Sequence, residues 1–288
     1  MLAKRVVLLF FRNKTQVFFS LLAVIIIIGL YVIFLGSVME DALRSTLGLP
    51  YYASTGAVMS GLVLGGMIAV TSVTISLGAL GRSVSDKENA ARDFYTSPVP
   101  RRKITFGYIA GATIVGLIMT MAALVIAVIY LQIRGGVRFS IETYALLILT
   151  AVLCCLAANS LTFVLALFAK NLHAYSAISS VVGTLIGFLM GIYLPIGQLP
   201  NAVQWLVRLF PLSHGASMFR QLLADAQLEA LFADIPPQYL DELRVFFGVT
   251  LEYGNFASDF WTSAGVLILT AIIFYAAGLF LVRRKPVF

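Results

Sequence analysis

Six apolar runs divide this sequence, roughly 17–38, 55–80, 104–131, 144–168, 175–194 and 261–282, and none of them contains an Asp, Glu, Lys or Arg. Each is long enough to cross the hydrocarbon core of a bilayer as a helix, which takes about 20 residues. In hydrocarbon every backbone N–H and C=O must be satisfied within the segment, so helices are the form such runs must take. The fold class expected is therefore an all-α membrane protein with six transmembrane helices. Composition agrees: with 60% hydrophobic and 11% charged residues, a soluble domain of 288 residues could not hide so much apolar surface. An even number of spans puts both termini on one side.

Lys and Arg decide which side, because they resist translocation when they sit in short loops beside the spans. With the termini inside, the cytoplasmic segments hold Lys4, Arg5, Arg12 and Lys14, then six basic residues between Arg82 and Lys103, then Lys170, then Arg283, Arg284 and Lys285. That is fourteen of the twenty, so a multi-pass protein of the cytoplasmic membrane with both termini cytoplasmic is expected. The formal net charge of +7 is then a topology signal and does not point to nucleic acid. Residues 1–14 mix Leu2, Val6, Val7, Leu9, Phe10 and Phe11 with basic residues, which suits a helix lying in the inner interface. A secretory signal is the competing reading, but the apolar run that follows is too long and lacks an A-x-A site.

The longest inner loop, residues 82–103, is a polar island between the second and third runs. Ser85 followed by Glu88 fits a capping box, Glu88 and Arg92 stand at i,i+4, and Pro98 and Pro100 forbid continuation. This pattern predicts a separate helix over residues 86–96, with Asp86, Asn89, Ala90, Asp93 and Phe94 along one side as a surface a partner could grip. A solvated connector is the plain alternative.

Glycines mark the expected helix contacts. Gly61 and Gly65, and Gly107 and Gly111, form G-x-x-x-G pairs, which let helix backbones approach closely in a membrane. Gly183, Gly187 and Gly191 repeat that spacing in the fifth run and predict a tight contact along its outer half, within the chain or across an oligomer. Between Pro200 and Pro211 lie too few residues to span, yet Trp205, Leu206 and Phe210 are apolar, so a short helix dipping into the outer leaflet is expected. Residues 215–260 read as an outer cap of amphipathic helices, over about 216–232 and 237–247. From Arg208 to Asp259 three Arg stand against seven carboxylates. A lid and a solvated connector are both open readings.

Catalytic signals are missing. The Lys14-Thr15 pair lacks the glycines of a phosphate loop, and His173 and His214 fall on opposite sides of the membrane. Cys154 and Cys155 are adjacent on one helix and point to different faces, which disfavours a disulfide. Ion-driven transporters usually keep ionisable groups at mid-membrane, so spans without any imply that energy enters from outside the chain.

The stretch from Ser85 to Lys103, with Glu88 in an acidic helix and a Ser97-Pro98-Val-Pro-Arg101 turn opening the third span, resembles the cytoplasmic loop of ABC-2 type permeases. The Gly191, Pro195, Leu199-Pro200 and Pro211 pattern and Arg12-Asn13-Lys14 also resemble that family, over essentially the whole chain. Ala90-Ala91 departs from the Gly-Thr that many members carry.

The resemblance implies a non-catalytic transmembrane subunit of an ATP-hydrolysing transport complex. Two permease subunits, alike or closely related, would pair, and two separate ABC ATPase subunits would bring ATP and Mg2+; this chain needs no cofactor or metal of its own. It further implies that residues 1–14 form a connecting helix and that Asp86, Glu88, Arg92, Asp93 and Phe94 lie in a coupling helix. Spans two and five would line a cavity, and Pro195, Pro200, Trp205 and Pro211 would belong to re-entrant elements over residues 195–214 that close it outside. The function expected is export of amphipathic substrates such as an antimicrobial peptide, drug or lipid. A polysaccharide exporter of the same superfamily and a non-transporting membrane sensor or scaffold are the alternatives.

Overall fold

The computed structural model describes residues 2–30, 55–89, 100–231, 233, 237–254 and 256–284. Two helices open the chain, α1 (Leu2–Arg12) and α2 (Lys14–Leu30), and three long ones follow: α3 (Thr55–Asn89), α4 (Arg101–Gly135) and α5 (Ile141–Phe168). Then come α6 (Leu172–Leu189), a 3-10 turn (Ile196–Gln198), the short α7 (Asn201–Leu209) and α8 (Pro211–Leu231). The chain closes with α9 (Pro237–Phe247), a two-residue hairpin of β1 (Glu252–Tyr253) and β2 (Phe256–Ala257), and α10 (Phe260–Arg284). Among the described residues five helices, α3, α4, α5, α6 and α10, are long and apolar enough to cross a membrane. The first expected span, 17–38, is helical as far as Leu30, and its remainder lies outside the described residues.

Helix ends follow local chemistry. Asn13, Ser140, Asn171 and Asp259 each accept a backbone N–H from three residues on, at 3.1, 3.1, 2.7 and 2.8 Å, and so start α2, α5, α6 and α10. Gly136 stops α4 in the left-handed conformation at φ 61°. Pro200 and Pro211 bound α7 as the sequence leads one to expect, since proline suits a helix start and not its interior.

The centre of the bundle is α3, buried without interruption from Ala57 to Ala69 and packed on α4, α5, α6 and α8. Its glycines explain who its closest neighbour is. A Cβ on Gly61 would lie 2.6 Å from the Leu223 carbonyl oxygen, and one on Gly65 would lie 2.9 Å from the Arg220 nitrogen, so α8 rests directly on the α3 backbone. Gly107 and Gly111 do the same for α1, whose Leu2 and Val6 occupy the space their side chains would need. The outer faces of α4 and α10 expose Ile118, Ile129, Ile268 and Ile272, as lipid-facing surfaces should.

Three expectations change. No new helix begins at Asp86: α3 continues to Asn89, because no proline before Pro98 interrupts it. Residues 90–99 lie outside the described residues. The fifth span ends at Leu189, and Gly191 has φ 61° in the turn that follows, so Gly183, Gly187 and Gly191 do not share a helix face. Finally, the helix expected at 216–232 begins at Pro211, and all its residues from Leu212 to Arg220 are buried in the bundle, so the division between re-entrant segment and cap at 214–215 falls inside α8.

Candidate functional site: two ends of one bundle

At the end of the bundle that carries α1, a single carboxylate joins three helices. Asp86, 3% exposed, accepts from Arg5 of α1 at 2.7 Å, from Tyr108 of α4 at 2.6 Å, and pairs with Arg82 one turn back on α3 at 3.1 Å. The hydrogen bond to Asp86 holds the Arg5 guanidinium above its usual range. Asp86 is thus turned into the bundle and engaged by Arg5, Arg82 and Tyr108 of its own chain. The Glu88 side chain and the whole of Arg92, Asp93 and Phe94 lie outside the described residues.

Beside this tie, α3 and α6 part to leave an open cavity of about 560 Å³. Its α3 wall is Thr74, Leu77, Gly78, Gly81 and Ser85, spaced as one helix face, and its α6 wall is Tyr175, Ser176, Ser179, Ser180 and Gly183. Gln16 and Arg82 stand at the rim and also line a neighbouring cavity of about 380 Å³ against α1. Tyr175 ties the walls together by donating to the Leu77 carbonyl at 2.7 Å. Gly183 has nothing within 4 Å of where a Cβ would sit, whereas the Gly187 face is covered by Tyr193 of the same chain.

At the opposite end buried polar contacts fasten the elements together, and an open cavity of about 770 Å³ lined by Asp225, Asp241, Arg244 and Asp259 lies outside them. Arg220, 1% exposed, donates to the carbonyls of Leu62 at 3.0 Å, Gly191 at 3.1 Å and Gly248 at 3.4 Å, and also to that of Met190. One guanidinium therefore fastens α8 to α3, to the end of α6 and to the end of α9, using backbone oxygens alone. Ser213 donates to the Leu189 carbonyl at 3.0 Å and Ser217 to that of Val249 at 2.6 Å. The Tyr253 hydroxyl gives its proton to the Arg208 carbonyl at 2.5 Å, so His214 meets it with a protonated Nε2 at 2.8 Å and leaves Nδ1 to accept from Ser263 at 3.2 Å. Outside this seal Arg244 binds Asp225, Glu229 and Asp241, and the hydrogen bond to Asp225, the strongest influence, raises its pKa. Pro195 is buried beneath this layer, Pro200 is exposed, Pro211 is half-buried, and Trp205 is exposed on α7 with the Arg208 guanidinium 5.5 Å over its ring.

Residues 44–280, most of the chain, match the family described as ABC-2 family transporter protein. The chain belongs to this ABC-2 transporter family. It is accordingly a multi-pass transmembrane component of an ABC transporter, a class in which ATP is hydrolysed by partner subunits. No curated protein matches the chain. The matched stretch of this ABC-2 protein begins after α2 and ends within α10, so it includes the α3 and α6 walls of the cavity and Arg220.

Sequence reasoning named Asp86 as a partner-facing residue and passed over Arg220, the two residues that tie the ends of the bundle. Arg5 and Asp86 are 81 positions apart, with no local pattern to link them. Arg220 sits in a helix whose polar residues suggested a solvated cap. The readable signal was the Gly61-x-x-x-Gly65-Gly66 run, which announced a close neighbour without naming α8.

Proposed function

We propose that the chain is one half of an ATP-driven exporter of amphipathic molecules, pairing with a second permease subunit and with two ABC ATPase subunits. The observation that carries this reading is the asymmetry of the bundle: a polar cavity open between α3 and α6 at the α1 end, and an Arg220-fastened seal at the other. Such a half-pathway loads from the α1 side, which the basic residues assign to the cytoplasm. ATP-driven closure of the ATPase pair then acts on the loop after α3, where Glu88, Arg92, Asp93 and Phe94 contact the ATPase. Asp86 serves differently, holding α1 and α4 to α3 so that the push moves three helices together.

The cavity wall carries one aromatic ring, Tyr175, and that hydroxyl is already committed to the Leu77 carbonyl. Stacked aromatics of the sort a sugar polymer would slide along are not among its described residues, which favours the amphipath over the polysaccharide. Charge reversal at Glu88 or Asp93 should abolish co-purification with the ATPase while leaving membrane insertion intact. Undiminished co-purification of both variants, or absence of ATP-dependent movement of amphipaths in vesicles holding permease and ATPase together, would refute the proposal.

A further inference from the structure

We infer that the α3–α6 cavity takes the anionic headgroup of a membrane lipid; this deepens the exporter reading above and rests on the cavity being its loading site. At about 560 Å³ the cavity is within the range of small-ligand pockets, roughly 300–1,000 Å³. Its walls are part apolar and part polar, with serine hydroxyls on the α6 side. Ser176 and Ser180 stand exposed on successive turns of α6, and Thr74 faces them from α3.

Charge selects the sign of the guest. Among the described residues no carboxylate lines the cavity, while Arg82 lies at its rim. Asp86, buried behind that rim, is shared between Arg5 and Arg82, and the adjoining cavity adds Arg12. Among the described side chains three guanidinium groups thus stand against one carboxylate, and a phosphate could accept from Arg82 and from the serine hydroxyls.

The surroundings select a lipid over a soluble anion. Beyond Ser180 the same helix exposes Val181, Leu185 and Phe188, and α2 exposes Phe18, Ile25 and Ile26. A headgroup held among the serines thus has hydrocarbon-compatible surface leading away from it, as acyl chains require.

The test uses the full chain in detergent micelles, without ATPase. Titration with a fluorescent phosphatidylglycerol and with phosphatidylcholine of the same tails should show at least a tenfold preference for the anionic lipid. Arg82→Gln should bring the two within about twofold. Because Arg82 also braces Asp86, the paired substitution Ser176→Ala with Ser180→Ala, which leaves that tie alone, should cut the preference at least threefold, and Ser180→Trp should remove binding by filling the cavity. Equal binding of both lipids by the native chain, an unchanged preference in the serine variant, or full competition by soluble glycerol phosphate would each overturn the inference. Binding is read without ATP, so a permease that prefers phosphatidylglycerol yet moves nothing would sink the exporter reading and leave this one standing.

Discussion

The two ends of the bundle use arginine in opposite ways. At the α1 end Arg5 and Arg82 are about two-fifths exposed and share a buried carboxylate, so parting them lets water replace much of what is lost. At the other end Arg220 is sealed in and satisfied by carbonyl oxygens from three separate elements, so separating those elements strands a bare cation. The first arrangement yields cheaply to movement; the second resists it until all its contacts are released together. On the exporter reading proposed above, this difference makes the α1 end the one expected to open first.

The comparison is broken most directly at Arg220. Arg220→Ala removes the cation and leaves the Met190, Gly191 and Gly248 carbonyls facing a void, a loss on the order of 3–5 kcal/mol, the range for breaking buried charged networks. It should appear as a large fall in Tm in detergent or as failure to recover folded protein. Arg220→Lys keeps the charge but reaches fewer of the oxygens, so its loss should be about half as great. An Arg220→Ala chain as stable as the native one would show that the seal depends on packing alone.

A smaller effect is expected where α8 meets α3. Gly65→Leu drives a side chain into the Arg220 backbone, and overpacking of this kind costs about 1–3 kcal/mol. Gly183→Leu, on the open face of α6, should leave Tm unchanged while lowering transport, since it intrudes on the cavity and touches nothing else. Equal destabilisation by the two would mean that the open face is packed in the working protein.

These glycines also show how far the sequence could be read. Apolar length sets the spans, because a bilayer imposes one dimension on every helix, and the Pro200 and Pro211 boundaries of α7 follow from proline's missing N–H. Partners across the fold were hidden for the same reason that they matter. Asp86 reads locally as the first residue of a surface helix, and only the approach of α1 reveals a buried acceptor. Likewise α8 carries Ser213, His214, Ser217 and Arg220, a polar set that looks solvated until Val249, Ser263 and Leu62 are found opposite. Long-range hydrogen bonds turned an apparent cap into core.

At the α1 end Asp86→Asn should be milder than any change to Arg220, about 1–2 kcal/mol, because both arginines can turn to water. Its signature is local: cysteines placed on the buried face of α1 at Val6 or Phe10 should label faster, with the Tm of the whole chain little altered. High salt should speed the same labelling in the native chain and add nothing in the variant. Salt-insensitive labelling of both would mean that the Gly107 and Gly111 contacts alone hold α1 in place.

The finest distinction concerns how the outer hairpin hands over to α10. Asp259 caps that helix, and hydrogen bonds from the Thr262 hydroxyl and then from the Thr262 N–H hold its carboxyl below the usual range. A depressed carboxyl contributes stability above its unfolded pKa, and that contribution is lost as pH falls through the folded value. Acidification below about pH 4, the ordinary range for Asp, should therefore lower the protection of the Thr262 amide relative to its intrinsic exchange rate at the same pH. Asp259→Ala should show the same loss of protection at neutral pH and remove the acid dependence. The fraying should stop at the first turn, because Ser263, Ala264 and Leu267 are buried against the bundle and His214 holds Ser263. Spread of the exchange beyond Leu267 would mean that the seal draws on this cap, linking the loosest part of the outer end to its tightest.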